Sequence, residues 1–154
     1  MRPIARSLVA GIVAGMLLMA VSPSGLIASD EPTKPDPNDP ALTARGKVVY
    51  AEHCASCHGA NLEGQPNWRK RLPNGRLPAP PHDATGHTWH HSDRQLFEMV
   101  KNGTAAMMPG YETDMPAYKE ILSDADIWAV LSYIESTWAS SIRERQQRMN
   151  RQEQ

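Results

Sequence analysis

The sequence predicts a small all-α domain. Three segments combine helix-capping residues with apolar residues at helical spacing, and no segment shows the alternation typical of a β-strand. Leu, Ile, Val and Phe are few: the 154-residue chain has 26 of them, ten in residues 1–28 and 16 in residues 29–154. Because a net charge of −1 and four Trp argue against disorder, we expect a folded chain whose core is not filled by its own aliphatic side chains.

Residues 1–28 have the pattern of a secretory signal peptide. Arg2 and Arg6 precede an uncharged stretch that is most apolar over residues 8–21, and the small Ala28 suits a cleavage site. The alternative is an uncleaved membrane anchor through residues 8–28, because the uncharged stretch is almost long enough to span a bilayer. In both cases residues 29–154 would work in the periplasm or at the outer face of the cytoplasmic membrane.

Two polar segments flank the predicted domain. Residues 29–40 contain four Pro and four acidic residues, a composition that favours an extended linker. Residues 139–154 are polar and Arg-rich, and this pattern fits either a helical extension or a frayed tail. One domain over residues 41–138 is therefore expected between them.

Capping residues mark the start of the first two predicted helices. Asp39-Pro40 is an N-cap and N1 pair that opens a helix ending near Ala51. Ser92 and Gln95 form a capping-box pattern for the second helix, which stops at Asn102-Gly103.

The third predicted helix has the strongest helical pattern of the three. Ser123 is its N-cap, and Asp124 and Asp126 place negative charge at its positive end. Between the first two helices, residues 61–91 are rich in Pro, Gly and His, so we expect a long loop that wraps around something. The apolar residues of the third helix recur at helical spacing: Ile127, Val130, Leu131, Ile134 and Trp138.

The first helix leads into the pentapeptide Cys54-Ala55-Ser56-Cys57-His58, which holds both cysteines of the chain. In an exported protein two cysteines could form a disulfide, and a redox-active dithiol is another reading, although its βαβ context is missing. The Cys-x-x-Cys-His spacing instead favours covalent attachment of a c-type haem. Cys54 and Cys57 would each bond to one vinyl group, and His58 would ligate the iron.

The sequence around this motif resembles the class I cytochromes c, which carry one haem. The resemblance covers residues 41–138 and includes GKVVYAEHCASCHG near the start and LSDADIWAVLSYI near the end. In that family a Gly and an aromatic residue of the first helix cross the last helix, and Gly46 and Tyr50 match these positions. Their expected partners are Val130 and Tyr133. The resemblance implies a small all-α cytochrome c fold, with helices packed around one covalently attached haem c.

The resemblance also implies a methionine as the sixth iron ligand. Met115 begins Met-Pro-Ala-Tyr just before the last helix, where the family has its ligand loop. Met108 begins the similar Met-Pro-Gly-Tyr seven residues earlier, directly after Met107. Position favours Met115, with Met108 as the second choice. A thioether opposite the imidazole of His58 raises the reduction potential relative to two imidazoles.

A second candidate site consists of three histidines within five residues. His87, His90 and His91 could bind copper or zinc, or one of them could replace methionine on the iron. We favour a polar loop in which Trp89 covers a haem edge, because no cysteine or carboxylate cluster completes a metal site there.

Three further groups of residues have weaker signals in the sequence. In the family the proximal histidine donates its second ring N–H to a backbone carbonyl, and Pro66 and the Pro80-Pro81 pair are both candidate sources. His53 and His82 are expected at the surface or behind the ligands. A basic cluster in the long loop fits docking on a redox partner and a solvated loop equally well: Arg69, Lys70, Arg71 and Arg76.

Together these features predict an exported one-electron carrier whose iron cycles between Fe(III) and Fe(II). We expect a monomer that exchanges electrons with redox partner proteins and catalyses no reaction of its own. The sequence contains no phosphate loop, nucleic-acid motif or Ser/His/Asp triad. The alternatives are a haem enzyme or gas sensor with an open sixth position, and a copper-handling haem protein that uses the three histidines.

Overall fold

The computed structural model describes residues 33–153, so the predicted signal peptide lies outside the described residues. Within 33–153 there is no β-strand, and the expected all-α fold is confirmed. None of these helices is both long and apolar enough to cross a membrane. The elements in chain order are α1 (Pro40–His53), α2 (Ala55–His58), a 3₁₀ turn (Thr88–His90), α3 (Asp93–Asn102), α4 (Thr104–Met107), α5 (Asp124–Ser136) and α6 (Ser140–Gln152).

The predicted caps begin the three main helices. The Asp39 carboxylate accepts hydrogen bonds from the backbone N–H groups of Ala41 and Leu42 at the start of α1. Ser92 Oγ accepts from Gln95 N at 3.2 Å, and this bond starts α3. In the same way, the Ser123 side chain caps α5. Each cap satisfies backbone donors that have no partner within their own helix.

The centre of the fold is the crossing of α1 and α5 at Gly46. A Cβ atom added at Gly46 would lie 1.9 Å from the carbonyl oxygen of Ala129 and 2.9 Å from the Cβ of Tyr133. The ring of Tyr50 packs beside the crossing, 5.5 Å from the ring of Tyr133. The expected contact with Tyr133 is therefore confirmed, but the nearest backbone belongs to Ala129 and not to Val130. Val130 instead turns into the core, where it is 1% exposed.

The C-terminal part of the domain differs from the sequence pattern in two ways. The last predicted helix ends at Ser136, and Trp138 lies beyond it although it is buried. The indole N–H of Trp138 donates to the carbonyl of His82 at 2.7 Å, so it ties this end to the long loop. The segment from Ser140 onward is a separate helix, α6, rather than a continuation of α5 or a frayed end.

The long segment between α2 and the 3₁₀ turn is irregular, as predicted, but it folds back on itself. The N–H of Gln65 donates to the carbonyl of Ala79 at 2.9 Å, and that of His82 donates to the carbonyl of Leu62 at 2.8 Å. Leu62 is buried in the core. These bonds bring the Pro80-Pro81 pair back to the end of α2.

Candidate haem site

Cys54 and Cys57 lie on one helical turn at the junction of α1 and α2. The N–H of Cys54 still donates to Tyr50 in α1, while the carbonyl of Cys54 accepts from both Cys57 and His58. Both thiols are free. Burial, and to a smaller extent the neighbouring Cys57, raise the pKa of the Cys54 thiol to about 11, so it is protonated at neutral pH. Cys57 is exposed. The turn therefore presents two thiols three residues apart.

His58 is held in one tautomer by the backbone. Its ring is buried, and Nδ1 lies 2.8 Å from the carbonyl oxygen of Pro80. Because a carbonyl only accepts, Nδ1 must carry the proton, and Nε2 keeps its lone pair. Burial lowers the pKa of His58 although the hydrogen bond to Pro80 opposes this effect. A neutral imidazole with a bare Nε2 is the form that binds a metal. Of the two proposed carbonyl sources, Pro80 is the one that contacts His58.

Gly64 allows the loop to approach His58 this closely. It has a φ of +68°, and a Cβ there would lie 2.4 Å from the backbone nitrogen of Pro81. The N–H of Gly64 donates to the carbonyl of His58 at 2.7 Å. The loop after His58 is therefore clamped between His58 and Pro81, which fixes the position of the Pro80 carbonyl.

His82 lies behind His58, as expected. The two rings stack with their centroids 4.0 Å apart, and His82 Nδ1 lies 2.8 Å from the Thr88 hydroxyl. Tyr50 supports the same region from α1, because its hydroxyl donates to the carbonyl of Gly59 at 2.8 Å. The imidazole of His58 thus has little room to rotate.

The two candidate methionine ligands differ in their surroundings. Met115 is half-buried and packs against the hydrophobic core, and its N–H donates to the Thr113 hydroxyl. Met108 is 46% exposed and Met107 is 39% exposed, at the end of the short helix α4. A ligand inside a haem pocket must be sheltered from water, and Met115 is less exposed than Met107 and Met108.

Tyr118 brings the Met115 loop to the cysteine turn. Its buried hydroxyl donates to the carbonyl of His53, the residue before Cys54, at 2.7 Å. Burial raises the pKa of Tyr118, and the nearby thiols of Cys54 and Cys57 add to the effect. No sequence pattern predicts this role of Tyr118. The residue stands three positions after Met115, but its partner is a backbone carbonyl, which no pattern of residue types can reveal.

The three histidines of the second candidate site are engaged separately. His90 stacks on Trp89 with centroids 3.7 Å apart, and His87 stacks on Trp68 at 5.3 Å. His87 and His91 are neighbours, with ring centroids 5.5 Å apart. Among residues 33–153 no group of three His, Cys, Asp or Glu side chains is placed to hold a metal ion. The described geometry therefore gives no support to a separate copper or zinc site here.

Three of the four cations in the basic cluster make contacts, two within the long loop and one with the segment before Met115. Arg76 pairs with Asp114, just before Met115. The guanidinium of Arg71 donates to the carbonyl of Gly75, and that of Arg69 lies over the ring of Trp68. These contacts order the loop, while Arg69, Lys70 and Arg71 stay exposed.

The residues of the site fit a covalently bound haem. They provide two thiols, one imidazole with a bare Nε2, and one sheltered thioether, which is the donor set of a c-type haem with two axial ligands.

Comparisons with known proteins support the same cofactor. The family model for cytochrome c matches residues 43–138. A cbb3-type cytochrome c oxidase subunit CcoP of Azospirillum brasilense is 33% identical over 97 residues, which are 62% of this chain and 28% of the subunit. Cytochrome c-555 of Prosthecochloris aestuarii is 31% identical over 81 residues, 49% of this chain and 82% of that protein.

One relative has a name from another functional class. A thiosulfate dehydrogenase of Stutzerimonas stutzeri is 32% identical over 106 residues, 68% of this chain and 30% of that enzyme. The chain therefore spans less than a third of the oxidase subunit and of the dehydrogenase. No solved structure gives a significant match.

Proposed function

The chain belongs to the cytochrome c family, and we propose that it is an exported monohaem electron carrier with histidine and methionine as axial ligands. As a family member it binds haem c covalently and transfers electrons. Haem c supplies a one-electron Fe(III)/Fe(II) couple when it is bound. The specific ligands, the compartment and the partners are the parts that we propose.

We assign the attachment to Cys54 and Cys57 and the proximal ligand to His58. The observation that carries this assignment is the hydrogen bond from His58 Nδ1 to the Pro80 carbonyl, beside two free thiols on the same turn. This bond directs the lone pair of Nε2 away from Pro80 and makes the imidazole a stronger donor. The rigid loop around Gly64 keeps the ring orientation the same in both oxidation states, which lowers the reorganisation that electron transfer requires.

We assign the distal ligand to Met115 and keep Met108 as the second choice. Two observations support Met115: it packs against the core, and Tyr118 ties its loop to the residue before Cys54. Met108 lies on an exposed turn and makes no comparable connection to the cysteine turn within residues 33–153. A thioether ligand favours the reduced iron, so the carrier would have a higher potential than one with two imidazoles.

The oxidised absorption spectrum tests the ligand assignment. We expect the weak long-wavelength band of a Met–Fe(III) bond in the haem-loaded wild type, its loss in Met115→Ala and its retention in Met108→Ala. If the band survives in Met115→Ala and disappears in Met108→Ala, the ligand is Met108. A five-coordinate, high-spin spectrum in the wild type would contradict the carrier and favour a haem enzyme or a gas sensor.

The proposed export rests on the sequence of residues 1–28. Haem-loaded protein can be recovered from the periplasm and its mass measured. A mass that corresponds to residues 29–154 plus one haem would support a cleaved signal peptide. A full-length chain in the membrane fraction would support the uncleaved anchor. Haem-loaded protein confined to the cytoplasm would contradict export. If the protein is exported, its partners are redox proteins of the same compartment.

A further inference from the structure

A buried carboxyl group lies where α3, α5 and α6 meet, far along the chain from the cysteine turn. Glu135 of α5 is 6% exposed, and its Oε1 has no hydrogen-bond partner within the described residues. The Asp93 carboxyl at the start of α3 is close enough to the Glu135 carboxyl for a side-chain hydrogen bond. Two carboxyl groups cannot both be charged at this separation in a buried site without a large repulsion.

The Asp93 carboxylate is also the main anchor of α6. It accepts hydrogen bonds from the side-chain amides of Gln146 and Asn150, the latter at 2.8 Å. The backbone N–H of Asp93 donates in return to the side-chain oxygen of Asn150 at 2.8 Å. Gln146 is 2% exposed, so α6 is docked through a buried polar contact and not only through apolar packing.

The charges around Glu135 favour its neutral form. Burial is the largest cause, followed by the Asp93 carboxylate of α3, and together they raise the pKa of Glu135 to about 9. Arg143 of α6 opposes the shift, and Asp36 of the N-terminal segment adds to it. At neutral pH Glu135 therefore carries a proton and can donate it in a hydrogen bond to Asp93.

We propose that Glu135 and Asp93 form a proton-binding site that keeps α6 docked, and that loss of this proton releases α6 from the domain. Deprotonation would leave two carboxylates facing each other at the anchor of Gln146 and Asn150. Moving α6 away admits water to both groups and relieves the repulsion. The family model ends at residue 138, so α6 lies outside it, whereas Asp93 and Glu135 lie inside it.

Release of α6 would open a second surface. The helix forms one wall of a surface depression of about 390 Å³, where the guanidinium of Arg145 lies 5.7 Å from the ring centroid of Trp89. The proton site would thus control access to the face of the domain that carries Trp89. The depression is lined by Trp89, His90, Arg145, Arg148, Met149 and Gln152.

The direction and size of the pH effect follow from proton linkage. In the docked state the pKa of Glu135 is about 9, and in the released state it returns toward the ordinary value of 4.5. Between these two values the docked state binds one proton more, so the ratio of released to docked chains rises about tenfold for each pH unit. Above pH 9 the ratio becomes constant, because neither state then holds the proton.

Amide hydrogen exchange of the haem-loaded protein between pH 6 and pH 9, corrected for intrinsic exchange rates, measures this ratio. We expect the protection factors of α6 to fall by up to about tenfold per pH unit in the wild type, while those of α5 stay constant. In Glu135→Gln the amide still donates to Asp93 but cannot lose a proton, so α6 protection should no longer depend on pH. The matched control Glu144→Gln removes an exposed carboxylate of α6 and should keep the wild-type slope.

Two results would overturn the proposal. One is a pH dependence of α6 protection that is the same in Glu135→Gln as in the wild type, or that is absent from the wild type. The other is a parallel loss of protection in α5, because the domain would then unfold as a whole. If Glu135→Gln does not fold, the infrared spectrum of the wild type at pH 7 decides. The C=O stretching band of a protonated carboxylic acid must be present and must disappear above pH 9; its absence at pH 7 contradicts the proton site.

Discussion

Tyr118 connects the proposed ligand loop to the cysteine turn. Its hydroxyl donates to the carbonyl of His53 at 2.7 Å, and its ring is buried in the core. Removing only the oxygen, as in Tyr118→Phe, keeps the ring packing and leaves the His53 carbonyl without this donor. We expect the free energy of unfolding of the haem-loaded protein to fall by about 1–2 kcal/mol.

Denaturant unfolding of Tyr118→Phe measures this loss, and Tyr111→Phe is the matched control. The Tyr111 hydroxyl makes no hydrogen bond within residues 33–153, so its removal should change stability by less than about 0.5 kcal/mol. We also expect added imidazole to displace the sixth ligand more readily in Tyr118→Phe, because the Met115 loop is less constrained. Equal stability and equal imidazole affinity in the two variants would remove Tyr118 from the site.

Residue types could be predicted from the sequence more readily than their backbone partners. Cys54, Cys57 and His58 lie within five consecutive residues, so the haem-attachment motif can be recognised without knowledge of the fold. The choice of Pro80 over Pro66 depends on how the loop returns to α2, and this path is set by the close approach of Gly64 to Pro81. Carbonyl groups are present on every residue, so composition cannot single one out.

At the scale of elements, Gly46 sets the distance between α1 and α5. The atoms that a Cβ would meet, Ala129 O at 1.9 Å and Tyr133 Cβ at 2.9 Å, belong to the partner helix and cannot rotate away. In Gly46→Ala the helices must separate. We expect a loss of at least about 2 kcal/mol in the free energy of unfolding, because overpacking outweighs the gain of about 1 kcal/mol in helix propensity.

Denaturant unfolding of the haem-loaded variant tests this, with Ala44→Gly on the exposed face of α1 as the reference. Ala44→Gly changes only helix propensity and should destabilise by about 1 kcal/mol. If Gly46→Ala stabilises the protein by a similar amount, the crossing tolerates a methyl group and the close backbone contact is wrong.

The three helices that begin with local capping residues could be predicted from the sequence. Helix α6, which is docked by side chains far away in the sequence, could not. Asp39, Ser92 and Ser123 are caps, and each acts on the first turn that follows it. The separate helix α6 depends on Asp93, which lies 53 residues from Gln146 and 57 from Asn150. A polar contact between residues so far apart in the chain produces no periodic pattern in the sequence. Residues 139–154 are therefore predicted only as a helical extension or a tail.

At the scale of the whole molecule, the long loop contributes little to the protein's own core. Leu62 is the one loop residue in the buried hydrophobic cluster of the described chain, and most of the others lie on α1, α3 and α5. The loop is held by a few backbone hydrogen bonds and by His58. If the loop wraps no bound group, few interactions offset the conformational entropy that is lost when so long a segment becomes ordered.

We therefore expect the domain to depend on haem for its fold. Cys54→Ala/Cys57→Ala, produced without haem, should be largely unfolded over residues 41–138 and show no cooperative heat-absorption peak in calorimetry. The haem-loaded wild type should show one, and so should Ser56→Ala, which changes the motif between the two cysteines but spares both thiols. Only 16 strong hydrophobic residues follow residue 28, which are few for a domain core of this size. A cooperative transition in the haem-free double variant would mean that α1, α3 and α5 form a sufficient core by themselves.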